Sequence, residues 1–163
     1  MSRVVFFGTP EEAVPTLETL ATRHEVGLVV TQPDRPRGRS GRPQPPPVKQ
    51  EADRLGLRVV QPQTSAELAE AVGADRFDLG VVVAYGRILR PDVLAAPAEG
   101  ILNVHFSLLP RWRGAAPVAR ALMAGDAMTG VTIIRLDEGL DTGPVLTAQL
   151  VDIHPAEDCG TLS

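Results

Sequence analysis

Cysteine is nearly missing from this chain. Cys159 is the only one among 163 residues, so no intramolecular disulfide can form, and a reducing, cytoplasmic setting is expected. Lysine is just as scarce: Lys49 stands alone, and every other basic residue is arginine. No apolar run approaches the length of a membrane span, so no membrane association is expected. The opening "MSRVVFFGTP" has too short an apolar stretch for a signal peptide and no cleavage pattern. An excess of positive charge is also lacking. The formal net charge is −4, which removes any global argument for nucleic-acid binding. Three scattered histidines (His24, His105 and His154) with one cysteine make no recognisable metal-ligand spacing, and no metal is expected.

What is present is ordinary for a globular protein: 44% hydrophobic and 22% charged residues. The length suits one domain and allows burial of about two-thirds of the unfolded surface. Apolar, β-branched runs recur along the chain. They are "RVVFF" (3–7), "EVGLVVTQ" (25–32), the weaker "LRVVQP" (57–62), "FDLGVVVAYG" (77–86), "GILNVHF" (100–106), "GVTIIRL" (130–136) and "PVLTAQLVDI" (144–153). Helical patterns lie between several of them, at 48–55, 66–72 and 118–124. A further helix follows the first run, with Thr9 as N-cap, Pro10 in the first helical position, Glu11 and Glu12 at the positive end of the dipole, and Val14, Leu17 and Leu20 on one face. Near-continuous apolar strands alternating with helices predict a Rossmann-like α/β fold. Its sheet would be open, twisted and mostly parallel, with helices on both faces. Ligands in such folds bind beyond the C-terminal strand ends, where Gly8, Tyr85, Gly86, Asn103 and His105 fall.

The segment at 32–47, "QPDRPRGRSGRPQPPP", is unlike the rest. It is rich in proline, glycine and arginine, has no apolar period, and is expected to be a mobile surface loop. Arg35, Arg37, Arg39 and Arg42 are balanced only by Asp34. A solvated linker accounts for this composition; so does a patch that neutralises phosphates.

Around "FFGTPEEA" a glycine leads from a strand into a helix start, the usual setting for an anion. There is no G-x-G-x-x-G, however, and Glu11 and Glu12 would repel a pyrophosphate, so a tight strand-to-helix turn is the better reading. Asn103 and His105 are two apart on a strand and share a face. A lone histidine there would be an ordinary core residue. A third polar residue weakens that reading: Asp141, in "RLDEGLDTGP", follows another apolar strand and precedes a sharp turn. Neither Ser107 nor Cys159 sits in a nucleophile elbow. With no nucleophile and no metal, direct attack by a bound substrate is expected. Amide and imidazolium N–H groups stabilise an oxyanion forming on a carbonyl, and a neighbouring carboxylate assists the imidazole and relays a proton. The implied class is acyl transfer from a carrier to an amine.

These residues also carry a family likeness. "NVHFSLLPRWRGAAP" resembles the Asn-x-His-x-Ser-Leu-Leu-Pro signature of folate-dependent formyltransferases, and "GVTIIRLDEGLDTGPVL" resembles the segment with that family's aspartate. "FFGTPEEA", "TQPDRPRGR", "VVVAYGRILRP" and "LLPRWRGAAP" narrow the likeness to the branch that formylates methionyl-tRNA. The likeness runs through essentially the whole chain in collinear order. It implies Asn103, His105 and Asp141 as the catalytic group, with Asn103 and protonated His105 on the formyl oxygen. It implies 10-formyltetrahydrofolate as co-substrate and initiator methionyl-tRNA as acceptor. The folate would lie against Arg87, Ile88 and Leu89, against Ser107, Leu108, Leu109 and Pro110, and against Leu136 and Glu138. Arg35, Arg37, Arg39 and Arg42 would meet the tRNA acceptor end.

Family members carry a further C-terminal, barrel-like domain that helps hold tRNA. Residues 1–163 are expected to be the catalytic domain, with that further domain absent from this chain. A monomer is expected. The alternatives are an enzyme of the same family acting on an amino-sugar nucleotide, which would leave "TQPDRPRGR" without a purpose, or a folate- or RNA-binding fragment without turnover. A glycinamide-ribonucleotide enzyme would need a Gly- and Asn-rich phosphate loop where "GTPEEA" stands.

Overall fold

Val4 to Phe7 are almost fully inaccessible, and this run of consecutive buried apolar residues makes β1 (Arg3–Gly8) a central strand. The structure, a computed structural model, describes residues 1–36 and 41–162. They form two units, Met1–Ile101 and Leu102–Ser163.

In the first unit, β1 is followed by a 3₁₀ turn (Glu11–Ala13) and α1 (Val14–Arg23). Next come β2 (Glu25–Val30), the two-residue strands β3 (Arg35–Pro36) and β4 (Pro43–Gln44), α2 (Pro47–Arg54) and β5 (Val59–Val60). Then come α3 (Ser65–Gly73), β6 (Leu79–Val83) and α4 (Pro91–Leu94). β1 pairs in parallel with β2 on one side and β6 on the other, and β2 pairs in parallel with β5. Leu28–Val30 and Val81–Val83 are buried at successive positions, as in β1, so the sheet is covered on both faces. Leu17 of α1, Val48 and Ala52 of α2, and Leu68 and Val72 of α3 are buried with them. The expected α/β pattern is present. The chain adds strands on one side of β1 and then crosses to the other, so the strand order reverses between β1 and β6. Such a switch point is where open α/β sheets hold ligands.

The helix start differs from expectation. Thr9 does not cap it: Pro10 holds the N-cap position without a side-chain bond, while the Thr9 hydroxyl donates to the Tyr85 carbonyl at 3.0 Å. Its hydroxyl ties the ends of β1 and β6 together instead.

Within residues 32–47, β3 and β4 pair antiparallel, Arg35 opposite Gln44. A clamp closes the base of this segment. Lys49 Nζ donates to Asp34 Oδ1 and Oδ2 at 2.9 and 3.0 Å and to Gln61 Oε1 at 2.7 Å. Gln61 Nε2 donates to Asp34 Oδ1 at 2.7 Å and to the Gln32 carbonyl at 2.8 Å. The Gln61 amide, and after it Lys49, hold the Asp34 carboxyl below the usual aspartate range.

Tyr85 is 1% exposed, and its hydroxyl has no hydrogen-bond partner. Burial pushes its phenol above the ordinary 10.0, and the Arg87 guanidinium opposes this only in part. The folded state therefore retains a proton that the unfolded chain gives up, and stability falls as pH rises past about 10. This is the chain's single tyrosine, so the pH-dependent change in absorbance near 295 nm reads it alone, Trp112 adding only a constant background. We expect its ionisation to lag that of free tyrosine until the fold opens. Tyr85→Phe should abolish the signal and leave stability within about 1 kcal/mol of the parent, because the deleted hydroxyl makes no bond.

β7 (Ile101–His105) starts at the last residue of the first unit. The second unit then holds α5 (Pro117–Ala124), β8 (Met128–Arg135), β9 (Val145–Asp152) and α6 (Cys159–Leu162). β8 runs antiparallel to β7, with Leu102 opposite Arg135 and His105 opposite Thr132, and antiparallel to β9. Parallel strands need a crossover of a dozen or more residues, and the 136–144 connection is too short for one. β9 is exposed along its whole length. No helix among the described residues is long and apolar enough to cross a membrane.

Candidate active site

The strand pleat places Asn103 and His105 on one face of β7, and both are buried, 9% and 7% exposed. Asp141 reaches them from the loop between β8 and β9. Asn103 Nδ2 donates to Asp141 Oδ1 at 3.2 Å, and His105 Nδ1 lies 3.6 Å from Asp141 Oδ2. The sequence-predicted trio therefore converges within the second unit, which removes the reading of His105 as a solitary core histidine.

The rest of the cluster is backbone. The Trp112 carbonyl lies 2.8 Å from His105 Nε2. A carbonyl only accepts, so Nε2 carries a hydrogen. The Gly114 N–H donates to Asp141 Oδ2 at 2.8 Å, so each oxygen of the carboxylate is held by a donor. The two ring nitrogens face a carbonyl and a carboxylate, and only the doubly protonated ring could donate to both. At 3.6 Å the Nδ1–carboxylate contact is an ion-pair distance rather than a formed hydrogen bond, a looseness common in catalytic sites without substrate.

Two local devices hold this arrangement. Asp141 has φ +50°, a left-handed conformation that costs a non-glycine residue energy and recurs at functional sites. Gly143 follows it, buried so tightly that a Cβ would overlap the Arg135 carbonyl oxygen. The Trp112 backbone is fixed from several sides. Its N–H donates to Ser107 Oγ at 3.1 Å, its indole N–H to Asp126 Oδ2 at 2.8 Å, and Arg111 stacks 4.3 Å above its ring while pairing with Asp126 at 2.7 Å.

The residues expected to meet a folate are distributed as follows. In the first unit Ile88 is 84% exposed, Leu89 is buried, and Arg87 Nη1 donates to the Pro62 carbonyl at 2.9 Å. In the second unit Ser107 is fully buried, and its hydroxyl serves the Trp112 backbone. Its carbonyl accepts from Thr132 Oγ1 at 2.6 Å. Leu108, Leu109 and Leu136 are half-buried; Pro110 and Glu138 are exposed. Of the arginines expected to meet RNA, Arg35 and Arg42 are exposed, while Arg37 and Arg39 lie outside the described residues. No group of three or more His, Cys, Asp or Glu side chains among the described residues is arranged to hold a metal ion. Sequence reasoning missed the Trp112 carbonyl and the Gly114 N–H. Only the Gly in "RWRG" hinted at them, and Gly114 adopts φ +80°.

Chemically, the cluster offers amide and imidazole N–H groups beside a carboxylate fixed at both oxygens. It offers no activated nucleophile, because the Ser107 hydroxyl is consumed by the turn. Such a site suits transfer between two bound substrates through a transient oxyanion.

Comparison with known proteins points the same way. A family model described as "Formyl transferase" matches residues 2–163. A methionyl-tRNA formyltransferase of Halorhodospira halophila (strain DSM 244 / SL1) is 55% identical over 99% of this chain, and one of Elusimicrobium minutum (strain Pei191) is 51% identical over 98%. The chain spans about half the length of these curated relatives, 53% and 48%. Among solved structures, phosphoribosylglycinamide formyltransferase from Bacillus halodurans matches with a TM-score of 0.78 at 26% identity, covering 98% of this chain and 84% of that one. The Streptococcus pneumoniae TIGR4 enzyme of the same name matches at 0.80 and 24% identity, covering 99% and 88%, a likeness of fold.

Proposed function

The chain belongs to the formyl transferase family, and from that premise we propose that it supplies the catalytic domain for formyl transfer from 10-formyltetrahydrofolate to the α-amine of methionyl-tRNA. The observation that carries this reading is the convergence of Asn103, His105 and Asp141, 3.2 and 3.6 Å apart. The acceptor is argued from likeness. Relatives named for methionyl-tRNA share 51–55% of residues with this chain, against 26% and 28% for structures named for phosphoribosylglycinamide and for glycinamide ribonucleotide. Glu11 and Glu12 in the first turn after β1 also oppose a phosphate at that helix start.

The reaction follows from the groups present. The acceptor amine attacks the formyl carbon, and the C=O π electrons move onto oxygen. Asn103 Nδ2 has one hydrogen on Asp141 and a second to give to the oxyanion, and the His105 imidazole joins it when its Nε2–H turns from the Trp112 carbonyl to the oxyanion. Collapse breaks the bond from carbon to the folate nitrogen. The amine loses a proton and the leaving nitrogen gains one, with Asp141 and His105 carrying it between them. Asp141 also orients the imidazole, itself oriented by Gly114 and Asn103. Folate is expected to meet Ile88, whose exposed side chain suits a flat ring, and the 107–110 and 136–138 segments.

The acceptor side has its own test. Replacing Arg35, Arg37, Arg39 and Arg42 together with alanine should weaken methionyl-tRNA binding. It should also lower the slope of log K against log salt by up to about 3, roughly 0.7–0.9 per lost phosphate contact. Folate affinity should hardly change. An equal loss of folate affinity would mean that the segment shapes the folate site instead. Formyl transfer measured beside calorimetric folate binding separates enzyme from binding module, since binding without turnover would reject the catalytic reading.

A further inference from the structure

His105 is oriented in part by the backbone of one turn, so whatever holds that turn also sets the imidazole. The Trp112 carbonyl lies 2.8 Å from His105 Nε2. Two polar bonds hold Trp112 from outside the catalytic trio. Its N–H donates to Ser107 Oγ at 3.1 Å, and its indole Nε1–H donates to Asp126 Oδ2 at 2.8 Å. The first bond closes the turn on itself. The second ties the turn to another element, because Asp126 lies in the connection between α5 and β8.

Asp126 is itself a fixed point. Gly125 ends α5 in a left-handed conformation, φ +68°, and the Asp126 N–H donates to the Ala121 carbonyl at 3.0 Å. That helix closure pins the aspartate backbone to α5. Its carboxylate is filled by donors. Oδ2 accepts from the indole and from Arg111 Nε at 3.3 Å, and Oδ1 accepts from Arg111 Nη2 at 2.7 Å. The Arg111 side chain is exposed, so its ion pair is screened and contributes little. The indole bond is the more buried of the two links. Packing alone does not lock the ring, because a cavity of about 290 Å³ borders Trp112, Leu108 and Met128. A ring beside open space lacks contacts there, so its polar bond matters more to its orientation.

We propose that Asp126 is a positioning residue for formyl transfer. It lies outside the trio and acts through Trp112: its bond to the indole N–H holds the residue whose carbonyl holds the His105 Nε2–H. A displaced carbonyl releases the imidazole from the orientation in which Nδ1 faces Asp141 and Nε2–H stands ready to turn to the oxyanion. The inference rests on the formyl-transfer reading, but the state of His105 is measurable without turnover.

Nitrogen-15 NMR of the histidine side chains tests it, and His105→Ala assigns the relevant signal among the chain's three histidines. The parent should show a protected His105 Nε2–H. Asp126→Ala should speed exchange of that proton with solvent about tenfold, the equilibrium weight of one net hydrogen bond. It should lower kcat at least about tenfold through misplacement of the imidazole, while folate affinity stays within about twofold of the parent. Asp126→Asn keeps an acceptor for the indole and should recover most of both losses, because the bond rather than the charge does the positioning. Trp112→Phe keeps the backbone carbonyl and removes the Nε1–H. It should reproduce Asp126→Ala, and the double variant should be no worse than either single one, since both remove the same bond. Circular dichroism verifies each fold, and Trp112→Phe carries the same test if Asp126→Ala does not fold. The proposal is overturned if Asp126→Ala leaves the His105 Nε2–H unchanged, or if folate affinity falls in step with kcat. It is also overturned if Asp126→Asn loses as much as Asp126→Ala, or if the two single losses multiply. A changed His105 signal in a protein that transfers no formyl group would reject the reading of the reaction and leave the control of the imidazole standing. An unchanged signal beside active transfer would remove the role of Asp126 alone.

Discussion

His105→Ala is expected to lower kcat for formyl transfer by about 10²–10³-fold, the usual cost of removing one donor to a developing oxyanion. The effect should fall on kcat rather than on folate affinity, because the imidazole contacts charge that exists only in the transition state. Burial sharpens the expectation. His105 is 7% exposed, so bulk solvent has little access to the position its imidazole would vacate. Asn103→Ala should behave similarly. The double variant should lose much less than the product of the two single losses, because the residues act as a unit through Asp141. Purely additive losses would mean that the residues work independently.

Gly143→Ala should be the most damaging change that touches no polar side chain. A Cβ at this buried position would overlap the carbonyl oxygen of Arg135, a backbone atom that cannot swing aside. The Arg135 N–H also donates to the Pro144 carbonyl at 3.0 Å, so the strand and the loop are joined at this point. Relief must come from moving the loop that carries Asp141 two residues earlier. Displacement of a catalytic group by about 1 Å can cost on the order of 10²-fold in rate, and a loss of that size is expected in kcat. Overpacking should also destabilise the fold by about 1–3 kcal/mol. Measuring kcat well below the melting range separates the two effects. An unchanged kcat in the folded variant would show that Asp141 does not depend on this close approach.

Much of this was legible in the sequence because it rests on periodicity. "VVFF" and "GVVV" are buried at every position, and only a sheet covered on both faces does that. The two-residue spacing of Asn103 and His105 set their common face, and "DTGP" marked the turn that brings Asp141 to them. Backbone partners were not legible. The Trp112 carbonyl and the Gly114 N–H are atoms that every residue has, and only the folded turn aims them at His105 and Asp141. Capping failed for a similar reason. Thr9 has the right side chain for an N-cap, but the Tyr85 carbonyl, 76 residues away in sequence, competes successfully for its hydroxyl. Strand direction was only partly legible. The short 136–144 connection forces β8 and β9 antiparallel, whereas the reversal between β7 and β8 spans a helix and leaves no trace in composition.

Formyl transfer to methionyl-tRNA through the trio is the central claim, and one measurement addresses it most directly. Initial rates of formyl transfer from 10-formyltetrahydrofolate can be compared for methionyl-tRNA and an amino-sugar nucleotide, with the parent protein and with His105→Ala. The account predicts kcat/KM for methionyl-tRNA at least about 10²-fold above that for the sugar nucleotide, and loss of that transfer in His105→Ala. Equal or better transfer to the sugar nucleotide, or undiminished transfer to methionyl-tRNA by His105→Ala, would contradict it.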